Sequence, residues 1–143
     1  MEKVAVYVST KTKNKYELQR RLSRISNYCL LKNYDYVLYV DDVKNRLDIK
    51  NRKALGKLKT EIKEGKISKV IIQDVNQLSK NSASNLELIE FLENNNCHIE
   101  CIDGTDLHKY YEFYREIIKR TNKEEMPKWI TKMKEETQQI DLN

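Results

Sequence analysis

Apolar and polar positions along this chain switch repeatedly between a two-residue and a three-to-four-residue period. Val4-Ala5-Val6-Tyr7-Val8 is an unbroken, β-branched run, which predicts a strand covered on both faces. Leu18, Leu22, Ile25 and Cys29 then recur three or four residues apart and predict a helix over 14–32. Tyr36 to Val40 is a second strand, ending at Asp41-Asp42. Leu55, Leu58 and Ile62 mark the next helix, with Gly65 as its C-terminal cap. Val70-Ile71-Ile72 is a third strand running into a polar turn. Ser84 and Glu87 have the spacing of a capping box, opening the helix that carries Leu86, Ile89 and Leu92. Asn94-Asn95-Asn96 turns the chain into a fourth strand, Cys97 to Ile102.

Strands separated by helices of this length imply right-handed crossovers and an α/β fold. The expected architecture is three-layered: a mostly parallel sheet of four to five strands with helices on both faces. This α/β domain is expected to span residues 1–105. After Gly104 the pattern becomes helical only. Leu107, Tyr110, Tyr111, Tyr114, Ile117 and Ile118 form one aromatic-striped helix. Pro127 suits the first turn of another, ahead of Trp129, Ile130 and Met133. Residues 106–143 are therefore expected to be a helical extension, packed on the domain or on a second subunit, with no separate DNA-binding domain.

A chain of 143 residues is long enough to bury a real core in one domain. No apolar run approaches the length of a membrane span. Met1-Glu2-Lys3 leads straight into the first strand and leaves no room for a signal peptide. Three cysteines, an odd number, argue against a disulfide framework. From these features a cytoplasmic protein with no membrane partner is expected.

The net charge of +5 is unevenly placed. Residues 44–66 hold nine Lys/Arg against three acids, Asp48, Glu61 and Glu64. Clustered positive charge attracts a polyanion in a salt-dependent way. Lys44, Arg46, Lys50, Arg52, Lys53 and Lys57 are accordingly the candidate DNA contacts, and the binding expected is weak and sequence-tolerant. The bland alternative is a solvated helix face.

In open parallel sheets, functional groups gather at the carboxyl ends of the strands. That rule selects Ser9-Thr10, Asp41-Asp42, Asp74 to Lys80, and Asp103. Cys97, His98 and Cys101 have metal-ligand chemistry, but on a strand 97 and 101 share one face while 98 points to the other. No further cysteine pair completes four ligands, so neither metal nor cofactor is expected. Each remaining residue has an ordinary structural role open to it: Ser9 as a turn cap, Asp74 as a solvated strand end, Gln77 and Lys80 as surface residues, Arg52 as a helix-start ion-pair partner.

Two stretches taken together resemble the N-terminal domain of the serine recombinase (resolvase/invertase) family. Val75-Asn76-Gln77-Leu78-Ser79-Lys80 is similar to that family's Leu-Asp-Arg-Leu-Ser/Gly-Arg motif. Ala5-Val6-Tyr7-Val8-Ser9-Thr10 is similar to its first strand, Tyr-x-Arg-x-Ser-Thr, with Gln19 standing for the glutamine of the following helix. Arg52-Lys53-Ala54-Leu55 with Glu64-Gly65-Lys66 matches a third piece, and the likeness extends over about residues 3–103. It implies the resolvase-like α/β fold and a reaction in which a serine hydroxyl attacks a DNA phosphodiester to form a phosphoserine link. Ser9 would be the nucleophile, with Gln19, Arg52 and Lys80 around the phosphate.

The departures fall on the charges. Tyr7 stands where the family has its first-strand arginine, Asn76 and Gln77 replace an Asp-Arg pair, and Lys80 replaces the last arginine. Val43-Lys44-Asn45 stands where the family has Ser-Gly after the second strand. Sliding the register to match Tyr7 with the family tyrosine puts Ser9 on the arginine and Lys11 on the serine. A serine hydroxyl is a weak nucleophile, and a five-coordinate phosphate develops charge that guanidinium groups must meet. Losing one preorganised contact of this kind removes about 2–4 kcal/mol of transition-state stabilisation.

The resemblance therefore implies a protein of DNA recombination, associated with a mobile element, whose catalysis is lost or weakened. It would act by binding DNA, and by pairing with itself or with a partner recombinase through the C-terminal helices. The alternative is an active recombinase using Ser9. A third reading is a receiver-like or small-molecule α/β domain built on Asp41, Asp42 or Asp74.

Overall fold

The computed structural model describes residues 2–11, 14–43 and 49–123, the side chains of Asn122 and Lys123 excepted. The order is β1 (Glu2–Thr10), α1 (Lys15–Leu31), β2 (Tyr34–Asp42), α2 (Lys53–Lys63), β3 (Lys69–Ile72), α3 (Ser82–Asn94), β4 (His98–Cys101) and α4 (Leu107–Lys123). The four strands form one parallel sheet in the order β2-β1-β3-β4. Lys44 and Arg46 lie outside the described residues, as do Pro127, Trp129, Ile130 and Met133 of the expected second C-terminal helix.

The unbroken apolar run of β1 has its cause in this order. As an inner strand it is covered on both faces, and Val4 to Val8 are all at most 1% exposed. Val4, Val6 and Val8 pack with Ile71 under Ile25 and Cys29 of α1. Ala5 and Tyr7 face the larger core on the opposite side, with Leu55, Leu58 and Ile62 of α2 and Ile89 and Leu92 of α3. Leu107 and Tyr111 of α4 enter that same core. Cys97, Ile99 and Cys101 point into it too, while His98 is exposed, as strand alternation requires. Burial pushes the Cys97 and Cys101 thiols up to about 11 and about 12, so both stay protonated as core groups. Among the described residues no cluster of three or more His, Cys, Asp or Glu is placed to hold a metal. Nor is any described helix long and apolar enough to cross a membrane.

Helix ends show where local patterns decide and where the fold overrides them. Gly65 closes α2 at φ 77°, with Lys66 N–H donating to Glu61 O and Gly65 N–H to Ile62 O, both 3.0 Å. The expected capping box at Ser84 and Glu87 does not open α3. Asn81 does, three residues earlier: its side-chain oxygen accepts from Ser84 N at 2.9 Å, so Ser84 already lies inside the first turn. α2 has no cap from its own neighbourhood. The Asp41 carboxylate at the end of β2 accepts from Ala54 N at 2.8 Å and Leu55 N at 3.0 Å. A strand-terminal acid thus satisfies two orphan donors and meets the positive end of the helix.

Candidate functional site

β1 and β3 are neighbours whose following connections leave in opposite directions, β1 toward β2 and β3 toward β4. The crevice outside their carboxyl ends is the place where open α/β sheets put their chemistry. Ser9-Thr10 and the polar stretch after Ile72 converge there.

That stretch is held by its own side chains. Asp74 Oδ1 accepts from Asn76 N at 2.9 Å and starts a single 3₁₀ turn, Val75–Gln77. Ser79 N–H donates to Asn85 Oδ1 at 2.9 Å, and Asn85 Nδ2 returns a bond to Ser79 O at 2.7 Å. Asn81 N–H donates to Ser79 Oγ at 2.9 Å. The turn is therefore fixed between β3 and the start of α3.

Gln77, which the resemblance places at a catalytic position and for which a surface role was the plain alternative, is 4% exposed and sits at the centre of the site. Its side-chain oxygen accepts from Ser9 N at 3.0 Å and from Arg21 Nη2 at 2.5 Å. Its main-chain oxygen accepts from Ser9 Oγ at 2.8 Å and from Arg52 Nη1 at 2.8 Å. Arg52, 5% exposed at the start of α2, gives its other Nη to Leu78 O at 3.0 Å. The guanidinium fork thus ties the α2 start to the turn after β3. Its first Nη also reaches the Tyr7 hydroxyl at 3.4 Å, and that hydroxyl donates to Asp41 Oδ2 at 2.8 Å. Burial, followed by the bond to Asp41, holds the Tyr7 phenol well above its ordinary pKa. Tyr7, Ser9, Gln77 and Arg52 therefore form one buried hydrogen-bonded network with Asp41.

Ser9 is 1% exposed, and its hydroxyl proton points at a carbonyl. Gln19 lies on the exposed side of α1 and is not among the residues lining the site. Arg21, two residues on, takes the inward place: Nη2 reaches Ser9 O at 3.2 Å and Nε reaches Gln73 Oε1 at 3.2 Å. Around it opens a recess of about 430 Å³ lined by Glu17, Arg20, Arg21 and Arg24 of α1 and by Gln73, Asp74, Asn76 and Gln77. Lys80 is exposed and lines a different cleft, of about 340 Å³, with Val75, Leu78, Tyr110 and Tyr111. Lys50, Lys53 and Lys57 are exposed on and before α2. Asp41 caps α2 and Asp74 caps the 3₁₀ turn, so neither carboxylate stands open as a phosphoacceptor would.

Arg21 and Gln73 were not selected from the sequence. The available signal was three arginines within five residues on the helix that follows β1, whose N-terminal half must lie at the carboxyl edge of the sheet.

The family model of the Resolvase N-terminal domain matches residues 5–140 of this chain. The chain belongs to that family. Solved structures of similar fold agree. The resolvase domain superposes on a resolvase-family site-specific recombinase from Streptococcus pneumoniae with TM-score 0.63 at 24% identity, covering 94% of this chain and 99% of that one. It is similar to the N-terminal catalytic domain of TP901-1 integrase, with TM-score 0.66 at 21% identity over 81% of this chain and 98% of that one. It is also similar to the C-terminal catalytic domain of ISC1926 TnpA, an IS607-like serine recombinase, with TM-score 0.61 at 20% identity over 85% and 84%. No curated protein sequence matches the chain. In the resolvase domain, as expected, the four strands are flanked by helices on both faces.

Proposed function

We propose that this resolvase domain takes part in DNA recombination as a non-cleaving component that binds DNA and a recombinase partner. One observation carries the reading: the Ser9 hydroxyl is buried and donates to the main-chain oxygen of Gln77. A nucleophilic serine must give its proton to a base while its oxygen faces phosphorus. Here the turn after β3 would have to move first. The charge needed by the transition state is also depleted, since Tyr7 and Gln77 carry none and Arg52 is committed to two carbonyls. The partner contact falls on α4, where Tyr110 and Phe113 are 58% and 71% exposed.

A second reading, an active recombinase using Ser9, is favoured by Arg21, whose guanidinium reaches the Ser9 main chain. Incubation of the purified full chain with supercoiled plasmid separates the two. The plasmid is expected to stay supercoiled. Nicked or relaxed product that disappears in Ser9→Ala would establish the active reading instead.

A further inference from the structure

We propose that β2 is a docking edge for a second copy of this chain, the two β2 strands pairing antiparallel about a two-fold axis at Val37. The contact is separate from α4 and does not depend on whether Ser9 reacts.

The sheet order leaves β2 and β4 at its two edges, and the edges differ. β4 is four residues long, and its Ile99 N–H is already taken by His108 Nε2 of α4 at 3.1 Å. β2 is nine residues long and pairs with β1 in one unbroken register, from Glu2 opposite Tyr34 to Thr10 opposite Asp42. It carries no lysine, no proline and no bulge, the devices that keep an exposed edge from meeting another strand. Its middle is apolar instead: Val37, Leu38 and Val40 are 39%, 38% and 42% exposed.

Charge and side-chain matching select the occupant and the register. Facing residues of an antiparallel pair share a face, so a strand meeting its own copy has one residue opposite itself. With Val37 at that centre, Tyr36 of each copy faces Leu38 of the other, and Val40 faces Tyr34. Lys32, exposed in the turn before β2, comes opposite Asp42, exposed at the strand's end, and symmetry makes this opposite-charge pair twice. Asp35 faces Tyr39 and has Lys3 beside it on β1. Moving the centre to Leu38 puts Asp35 against Asp41, and moving it to Tyr36 puts Asp35 against Val37. Exposed ion pairs fix register more than affinity, which comes from main-chain bonds and apolar cross-strand pairs. The contact is isologous and closes on itself, joining two four-stranded sheets into one.

The test is disulfide trapping in the full chain. Facing Cα atoms in an antiparallel pair lie about 4.5–5.5 Å apart, within reach of a disulfide. Cys29, Cys97 and Cys101 are buried, so an added surface thiol is the one that reacts. Val37→Cys is expected to give a covalent dimer on mild oxidation by diamide. Val40→Cys is as exposed, but its two copies stand about 20 Å apart in this register and are expected to stay uncoupled. Adding Lys32→Asp to Val37→Cys is expected to slow trapping about fivefold, and adding Asp42→Lys as well is expected to restore it. Absence of a Val37→Cys dimer, equal trapping at 37 and 40, or charge reversal without loss and rescue overturns the edge pairing. A dimer held through α4 alone would leave both positions uncoupled and overturn it too. Trapping is read without DNA, so none of these results bears on the non-cleaving reading, and plasmid cleavage would not bear on the edge.

Discussion

Arg52→Ala is expected to destabilise the protein by about 3 kcal/mol or more, far beyond the effect of an ordinary surface arginine. The cause is the geometry around a side chain only 5% exposed. Two Nη groups hold the carbonyls of Gln77 and Leu78, and their removal takes the guanidinium from both oxygens, leaving Gln77 O to the Ser9 hydroxyl and an empty space beside Tyr7 where the buried fork had been. Arg52→Lys is expected to recover little, because one ammonium cannot span two carbonyls as the planar fork does. Lys53→Ala, at the next and exposed position, should change stability by less than about 0.5 kcal/mol. Urea unfolding of the three variants checks the set. A poised phosphate ligand would behave in the opposite way: removing it would leave stability unchanged or improved.

The second large effect is expected at Asp41. Asp41→Ala removes the acceptor of three hydrogen bonds, from Tyr7 Oη, Ala54 N and Leu55 N. It strips α2 of its N-terminal cap and leaves a buried phenol without an acceptor, for a loss of about 3–4 kcal/mol. Asp42→Ala, on the exposed side of the same strand end, should stay within about 0.5 kcal/mol of the parent. Comparable losses at 41 and 42 would show that Asp41 is not the cap that joins β2 to α2.

These two residues also show why the site was only partly legible in the sequence. The inner strand β1 was readable because burial on both faces leaves an unbroken, β-branched apolar run, Val4 to Val8, too short for a typical helix and bounded by polar residues. Gly65 was readable because its left-handed φ is local chemistry. Ser9, Arg52 and Gln77 could be picked out by resemblance, and they do converge. Their roles could not be read, because whether an arginine meets a phosphate or a carbonyl depends on a turn that is distant in sequence. For the same reason a surface amide stayed open as the ordinary role of Gln77. Arg21 looks no different from Arg20 and Arg24 on a polar helix face until β3 brings Gln73 beside it. Ser84 and Glu87 failed as a cap because Asn81, the better placed acceptor, begins the helix one turn earlier.

This is thus a family site whose key groups bond to one another. The most direct measurement of that claim is a mass-spectrometric search for a nucleotide linked to the Ser9 peptide. The full chain would be incubated with supercoiled DNA, denatured under conditions that preserve a phosphoserine bond, and digested. An unmodified Ser9 peptide is the expected result. A nucleotide-bearing Ser9 peptide, lost in Ser9→Ala, would show that the hydroxyl leaves Gln77 and attacks phosphorus, and would contradict the account.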